Sequence, residues 1–314
     1  MPTVYFVIPC YNEEEVLAET TTRLTEKMVQ MYRDGLADEK SRILYVDDGS
    51  KDKTWELITK FHEENPLVEG LKLARNRGHQ NALLAGLMTA KDKCNCAISL
   101  DADLQDDTDV LDEFVKKYME GCDVVYGVRN KRETDTFFKK TTALGFYKFM
   151  KVLGVDIVYN HADYRLMSKR ALEGLAEYKE VNLFLRGIVP LIGYRHDYVY
   201  YDRHERFAGE SKYPLKKMIA FAVDGITSFS VKPLRLISSF GIIIALLSVF
   251  GLLYALISHI LGVTVPGWTA IVCSIWLLGG IQLFCVGIVG VYVGKIYNEV
   301  KQRPRYRVDT YLEN

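Results

Sequence analysis

Through its first 130 residues the chain alternates short apolar runs with stretches in which apolar positions recur every three or four residues. Residues 4–8, 42–46, 68–73, 96–100 and 123–127 are brief, β-rich and bounded by turn formers, which predicts strands. Residues 13–32, 54–64, 80–90 and 110–120 carry apolar positions at helical spacing. This βαβα order predicts an α/β domain whose largely parallel sheet is covered by helices on both faces. Ligands of such sheets sit outside the carboxyl ends of the strands. Three polar clusters fall at those ends: residues 9–13 (Pro-Cys-Tyr-Asn-Glu), 47–50 (Asp-Asp-Gly-Ser), and Asp101-Ala102-Asp103.

Further along, the alternation gives way to two uncharged stretches, 236–258 and 268–294. Each exceeds the roughly 20 residues that carry a helix across a bilayer core, and together they predict two transmembrane helices. Lys232 and Arg235 precede the first; Lys295, Lys301, Arg303, Arg305 and Arg307 follow the second, and the connector 259–267 has no Lys or Arg. Basic flanks stay cytoplasmic, so both termini and the α/β part are expected in the cytosol. Trp268 suits an anchor at the outer interface. The apolar run at the amino end is too short for a secretory leader. The expected boundaries are an α/β domain over 1–212, a juxtamembrane amphipathic segment over 213–233, spans over 234–258 and 268–294, an external loop over 259–267 and a cytosolic tail over 295–314. Residues 137–153 mix aromatic rings with Lys139, Lys140, Lys148 and Lys151, which fits either a membrane-surface helix or a core-packed one. Gly279, Gly280, Gly287, Gly290 and Gly294 permit close helix packing, including that of a homo-oligomer.

Charge narrows the partners. Forty basic residues balance forty acidic ones in 314, so no net field points to nucleic acid. Cys94 and Cys96 have the wrong spacing for a zinc knuckle, and the six cysteines read as reduced thiols. The six histidines form no recognisable metal cluster.

The run 101–107 (Asp-Ala-Asp-Leu-Gln-Asp-Asp) follows an apolar strand and sets two carboxylates one residue apart. Such a pair repels itself unless a cation or proton lies between. Hard oxygen donors suit Mg²⁺ or Mn²⁺, and Mg²⁺ uses one or two carboxylates plus the phosphates of its substrate. The motif therefore reads as a metal-assisted nucleotide diphosphate site, or as a solvated acidic turn capping a helix near Thr108.

Taken together, several segments resemble inverting glycosyltransferases of the GT-A fold: residues 7–14 (Val-Ile-Pro-Cys-Tyr-Asn-Glu-Glu), 46–50 (Val-Asp-Asp-Gly-Ser), 76–80 (Asn-Arg-Gly-His-Gln) with 84–86 (Leu-Ala-Gly), and 101–105 (Asp-Ala-Asp-Leu-Gln). Residues 137–140 (Phe-Phe-Lys-Lys), 162–166 (Ala-Asp-Tyr-Arg-Leu), 203–206 (Arg-His-Glu-Arg) and 209–213 (Gly-Glu-Ser-Lys-Tyr) are similar to a narrower group, the polyprenyl-phosphate glycosyltransferases. That group includes bactoprenol glucosyltransferases and dolichol-phosphate mannose synthases, and the two-span layout matches the former. The resemblance covers essentially the whole chain.

It implies a GT-A domain (Rossmann-like, mostly parallel sheet) followed by interfacial helices and two membrane spans. It implies transfer of one sugar, UDP-glucose being the first donor and UDP-N-acetylhexosamine or GDP-mannose the alternatives, to a membrane polyprenyl phosphate. Pro9, Tyr11 and Glu13 would surround the nucleoside, Asp48 would accept a hydrogen bond from the base, and Asp47 would shape the turn. Asp101, Asp103 and Gln105 would gather around Mg²⁺ or Mn²⁺ and the ribose, with Asp103 and Gln105 the best ligands. Arg129 would contact the donor or sit in a surface ion pair. Arg203, Arg206, Ser211 and Lys212 would close over the phosphates. Asp163 matches the position proposed as a base. A phosphate monoester has a second pKa of ~6, so its oxygen is already anionic at neutral pH, and Asp163 is expected to position acceptor or sugar. His79-Gln80 departs from the Gly-Lys-Glu form often seen in the group. Competing readings are a processive polysaccharide synthase, disfavoured because none of Trp55, Trp268 and Trp276 follows an arginine, and a membrane adaptor that keeps a nucleotide-sugar fold.

Overall fold

Val4–Cys10 (β1) carries no charge, is buried along its whole length, and lies inside an eight-stranded sheet. The computed structural model describes residues 1–130, 161–202, 230, 232–261 and 267–314. Arg42–Asp47 (β2) and Cys96–Ser99 (β4) flank β1 in parallel, and Val68–Leu73 (β3) continues parallel to β2. Between them run Leu17–Arg33 (α1), Thr54–Glu64 (α2) and His79–Ala90 (α3), with Leu111–Met119 (α4) after β4. Strand alternation distributes β1 between two layers. Val4, Phe6 and Ile8 join the core with Leu17, Leu24, Met28 and Phe114 of α1 and α4. On the other face α3 lies so close that a Cβ at Gly86 would collide with Val7 and Val46. The parallel, helix-covered centre expected from the hydrophobic pattern is therefore present.

The far half of the sheet is mixed. Val124–Arg129 (β5) and His161–Ser168 (β6) pair antiparallel, and β6 inserts antiparallel beside β4. Lys169–Glu177 (α5) starts where the Ser168 hydroxyl accepts the Ala171 N–H, and Leu185–Leu191 (α6) leads to His196–Tyr201 (β7), which runs parallel to β5. At the opposite edge Val308–Leu312 (β8) pairs antiparallel with β3, giving the order β7-β5-β6-β4-β1-β2-β3-β8. The hydrophobic pattern gives no sign of β8, and the reading of 295–314 as a tail leaves it out.

A second unit contains Lys232–Ile260 (α7) and Trp268–Lys301 (α8), of 29 and 34 residues. Leu247 and Phe250 on α7 and Leu283 and Phe284 on α8 are exposed. By length and composition, Leu277–Lys301 can cross a membrane. The Tyr292 hydroxyl donates to the Ser230 carbonyl at 2.6 Å. Residues 137–153, nearly all of 213–230, and 262–266 of the connector lie outside the described residues.

Candidate active site

The loops after β1 and β2 are laced together. Asn12 takes φ 55° and donates its N–H to the Ser50 hydroxyl at 3.0 Å, while its side-chain oxygen accepts the Lys51 N–H at 2.9 Å. The Glu13 N–H donates to Thr54 at 2.9 Å. Pro9 ends in the buried strand, whereas Tyr11 is exposed at the rim. Asp47 is fully buried and accepts the Ser50 N–H at 3.1 Å, which makes it the turn former expected. Asp48 reaches further: its two oxygens accept the backbone N–H groups of Arg77 at 2.7 Å and Gly78 at 2.8 Å. Gly49 adopts φ 68°, and a Cβ there would meet the backbone of Asn76 and Arg75 at 2.7 and 2.8 Å. The Asp-Asp-Gly-Ser sequence thus fixes the entry into α3. Burial raises the Asp48 carboxyl against the two amides that lower it.

The acidic loop after β4 is held from several sides. Thr20 donates to the Ala102 carbonyl at 2.8 Å, and Tyr164 to the Asp107 carbonyl at 2.8 Å. Leu104, buried and branched, takes φ 55°, a conformation L residues adopt at a cost. That reversal leaves Asp103 accepting the Gln105 N–H at 3.3 Å. Asp106 is anchored by the Tyr201 hydroxyl at 2.5 Å and by Arg129 Nη2 at 3.1 Å. Arg129 Nε also donates to Tyr201 at 3.1 Å. Burial, only partly offset by His79, and the neighbouring charges of Asp106, Asp163 and Asp103 push the Asp101 carboxyl up to about 6.

One strand away, Ser99 pairs with Arg165 across β4 and β6. Continuing that antiparallel register by two residues sets Asp163 level with Asp101. The Ser99 hydroxyl donates to the Asp163 carbonyl, and the Asp163 carboxylate receives Nη2 of the buried Arg165. Arg186 of α6 donates to the same carboxylate from Nε at 3.3 Å and from Nη2 at 3.0 Å. His79 Nε2, at the first position of α3, lies 3.7 Å from both Asp101 and Asp163. Burial would raise the Asp163 carboxyl, yet Arg186, His79 and Arg165 together hold it well below the usual range. Burial likewise lowers His79, but the two carboxylates outweigh it and leave the imidazole raised.

Pro9, Tyr11, Glu13, Asp48, Asp101, Asp103, Gln105, Arg129 and Asp163 thus lie along one edge, at the carboxyl ends of β1, β2, β4 and β5 and the start of β6. Arg203, Arg206, Ser211 and Lys212 lie outside the described residues. Arg129 is engaged with Asp106 and Tyr201, partners no sequence pattern suggests. The sequence pattern marks neither Arg186 nor Asp106 as a site residue. Asp106 at least belongs to the acidic run, whereas nothing near Arg186 announces a site. Asp101 and Asp103 with the Gln105 amide supply hard oxygen donors, the right chemistry for Mg²⁺ or Mn²⁺. Among the described residues no three His, Cys, Asp or Glu form a ready cage, so such an ion would need oxygens from its substrate.

The fold is an α/β sheet with an acidic loop at the carboxyl ends of its strands, and comparison with known proteins gives its family. The model of "Glycosyl transferase family 2" matches residues 5–175. A Bacillus subtilis (strain 168) protein named uncharacterized glycosyltransferase YkoT is 56% identical over 313 residues, covering 100% of this chain and 93% of its own. A Shigella flexneri protein named SfII prophage-derived bactoprenol glucosyl transferase is 37% identical over 305 residues, covering 96% of each. Among solved structures, a mannosyltransferase from Pyrobaculum calidifontis in complex with GDP-Man and Mn²⁺ aligns at a TM-score of 0.47 and 17% identity over 96% of this chain and 87% of its own. The chain belongs to glycosyl transferase family 2 and is a glycosyltransferase.

Proposed function

We propose that this enzyme transfers a single sugar from a nucleotide donor to a polyprenyl phosphate at the cytosolic face of a membrane, inverting the anomeric carbon. The observation that carries the reading is the placement of Asp101, Asp103 and Gln105 beside the Asp163–Arg165–Arg186 cluster on one sheet edge. Carboxylates for a metal–diphosphate and the partly exposed guanidinium of Arg186 for a phosphate then meet at one place. The near full-length likeness to a bactoprenol glucosyl transferase supports the acceptor class, and UDP-glucose is the first donor. UDP-N-acetylhexosamine and GDP-mannose are the alternatives.

In this reading Pro9, Tyr11 and Glu13 line the nucleoside. Asp48 meets the base through lone pairs beyond those its two amides occupy, a carboxylate having about four acceptor sites. Asp103 and Gln105 would hold Mg²⁺ or Mn²⁺, with Asp101 also contributing oxygen; such an ion would supply positive charge to offset that of the diphosphate. Arg129, Arg203, Arg206, Ser211 and Lys212 contact the donor and acceptor phosphates. Asp163, clamped between two guanidinium groups, is too weakly basic to take a proton. The acceptor needs none removed, since its second pKa is ~6 and its oxygen attacks as an anion. Holding the two substrates in line supplies most of what such a displacement needs.

Both α7 and α8 are taken to cross the bilayer. The chain leaves the catalytic unit before α7 and rejoins its sheet as β8, so it has to return to the side from which it started. That connectivity supports an even number of crossings, and the basic flanks support a cytosolic catalytic unit.

The test uses the full chain in detergent with Mn²⁺ or Mg²⁺, undecaprenyl phosphate and a panel of labelled nucleotide sugars. One donor is expected to place its label in the chloroform phase, and only with metal present. Absence of chloroform-soluble label with every donor overturns the reading.

A further inference from the structure

Arg186 stands out because its position is determined by three separate elements. The residue before it, Leu185, is buried, and its peptide is gripped at both ends. Its N–H donates to the Gln80 side chain of α3 at 2.9 Å, and its carbonyl accepts Nη1 of Arg165 from β6 at 3.4 Å. Arg186 therefore leaves a fixed backbone, and Asp163 then fixes its guanidinium through Nε and Nη2. This gives the His79-Gln80 pair a place in the site: Gln80 sets the start of α6, and His79 stands between Asp101 and Asp163.

The two arginines on Asp163 differ in what they face. The Arg165 side chain is 1% exposed and lies inside the sheet, whereas that of Arg186 is 34% exposed at the edge where Asp101 stands. Buried Arg165 also pairs with Asp163, and the nearby Asp101 carboxylate acts on Arg186 as well. An ordered guanidinium on a rigid base, turned to solvent at the ligand edge, is the form in which arginine recognises phosphate. Ordering it beforehand removes the entropy that a mobile side chain would lose on binding.

Resting on the reaction proposed above, we propose that Arg186 binds a phosphate group of the reaction, with Asp163 and Gln80 as its positioning residues. Two phosphates qualify, the diphosphate of the donor and the monophosphate of the lipid acceptor. A purely structural Arg186 would neutralise Asp163 and do nothing else.

The experiment compares wild type with Arg186→Gln and Arg186→Lys in the full-length protein in detergent. Asp163 keeps Arg165 in both variants, so neither strands a buried carboxylate. Calorimetry with UDP and Mn²⁺, without lipid, reads the donor arm; KM for undecaprenyl phosphate reads the acceptor arm; the unfolding temperature reads structure. Arg186→Gln is expected to weaken one arm at least tenfold with the unfolding temperature within about 2 °C of wild type. Arg186→Lys should fall between, because it keeps the charge and loses the fork. Weakened UDP binding assigns the donor diphosphate, and a raised KM assigns the lipid phosphate. Both constants within twofold of wild type overturn the proposal, whether or not the unfolding temperature falls. Should wild type transfer no sugar to the lipid, the proposed reaction fails on its own, and UDP calorimetry then decides alone whether Arg186 binds phosphate.

Discussion

The Asp48 carboxylate accepts the backbone N–H of Gly78 at 2.8 Å, tying the end of β2 to the first turn of α3 across 30 residues of sequence. With the Arg77 bond it satisfies two amides that no strand or helix ladder reaches. Hydrogen bonds to a charged group contribute about 1.5–3 kcal/mol each. Asp48→Ala is therefore expected to lower stability by about 3–6 kcal/mol as well as to weaken UDP binding, measured by chemical denaturation and calorimetry on the same preparation. A variant as stable as wild type would leave Asp48 a ligand contact alone.

Asp163 makes a prediction about acid. Its carboxyl is held below its ordinary value, so the folded state binds this proton less readily than the unfolded one. The stabilisation is complete above the unfolded carboxylate pKa of about 3.9 and is lost as pH falls through the lower folded value. Asp163→Asn leaves buried Arg165 without its counter-charge, which costs about 3–5 kcal/mol when a buried pair is broken. The difference in stability between wild type and variant should shrink below about pH 4, and should also shrink as pH rises above about 6.5, because Asp163 is one of the two carboxylates that raise His79. The same position gives a kinetic outcome: the wild-type rate between pH 6 and 8 should show no limb from a carboxylate base.

Metal removal separates folding from chemistry. Asp103 is only partly buried, so Asp103→Ala should unfold within about 0.5 kcal/mol of wild type, the range usual for substitutions outside the core. Sugar transfer is expected to fall at least a hundredfold, as it should for wild type in EDTA, with recovery of wild type on adding Mn²⁺. Unchanged transfer by Asp103→Ala would remove the acidic loop from the reaction.

What could be read beforehand followed from periodicity. The centre of the sheet was legible because β1 and the middles of β2 and β4 are apolar runs between helical repeats, the pattern of parallel strands buried on both faces. The acidic loop was legible because carboxylates at a strand end carry their own chemistry. β6 was not, since Asp163, Arg165 and Ser168 interrupt its apolar positions for reasons visible only once its neighbours are in place. Arg186 was invisible for a similar reason. Its meaning lies in Gln80, Asp163 and Arg165, which come from other elements, and a short helix containing Pro190 offers no period to read. β8 has five residues with polar side chains at two of them and pairs with a strand 240 residues earlier.

That last strand closes the β3 edge, and its hold depends on a buried carboxylate. Glu69 is 1% exposed and accepts the Tyr311 hydroxyl at 2.5 Å and the Tyr5 hydroxyl at 3.3 Å, with Arg42 4.0 Å away. Lys93 donates to the Tyr311 hydroxyl at 2.6 Å and stands over its ring. Tyr311→Phe keeps the ring and removes one donor from Glu69, and an acceptor stripped of a partner in a buried place costs about 1–3 kcal/mol. That loss is expected in urea denaturation of the full chain. Tyr5→Phe, whose bond is longer, should cost less. Removing residues 303–314 goes further, because it leaves the β3 edge unpaired, and an open edge is a template for other strands. The truncated protein is expected to aggregate in detergent where Tyr311→Phe stays dispersed, as read by size-exclusion chromatography. If it elutes as wild type does and unfolds at the same urea concentration, β8 contributes nothing to holding the sheet.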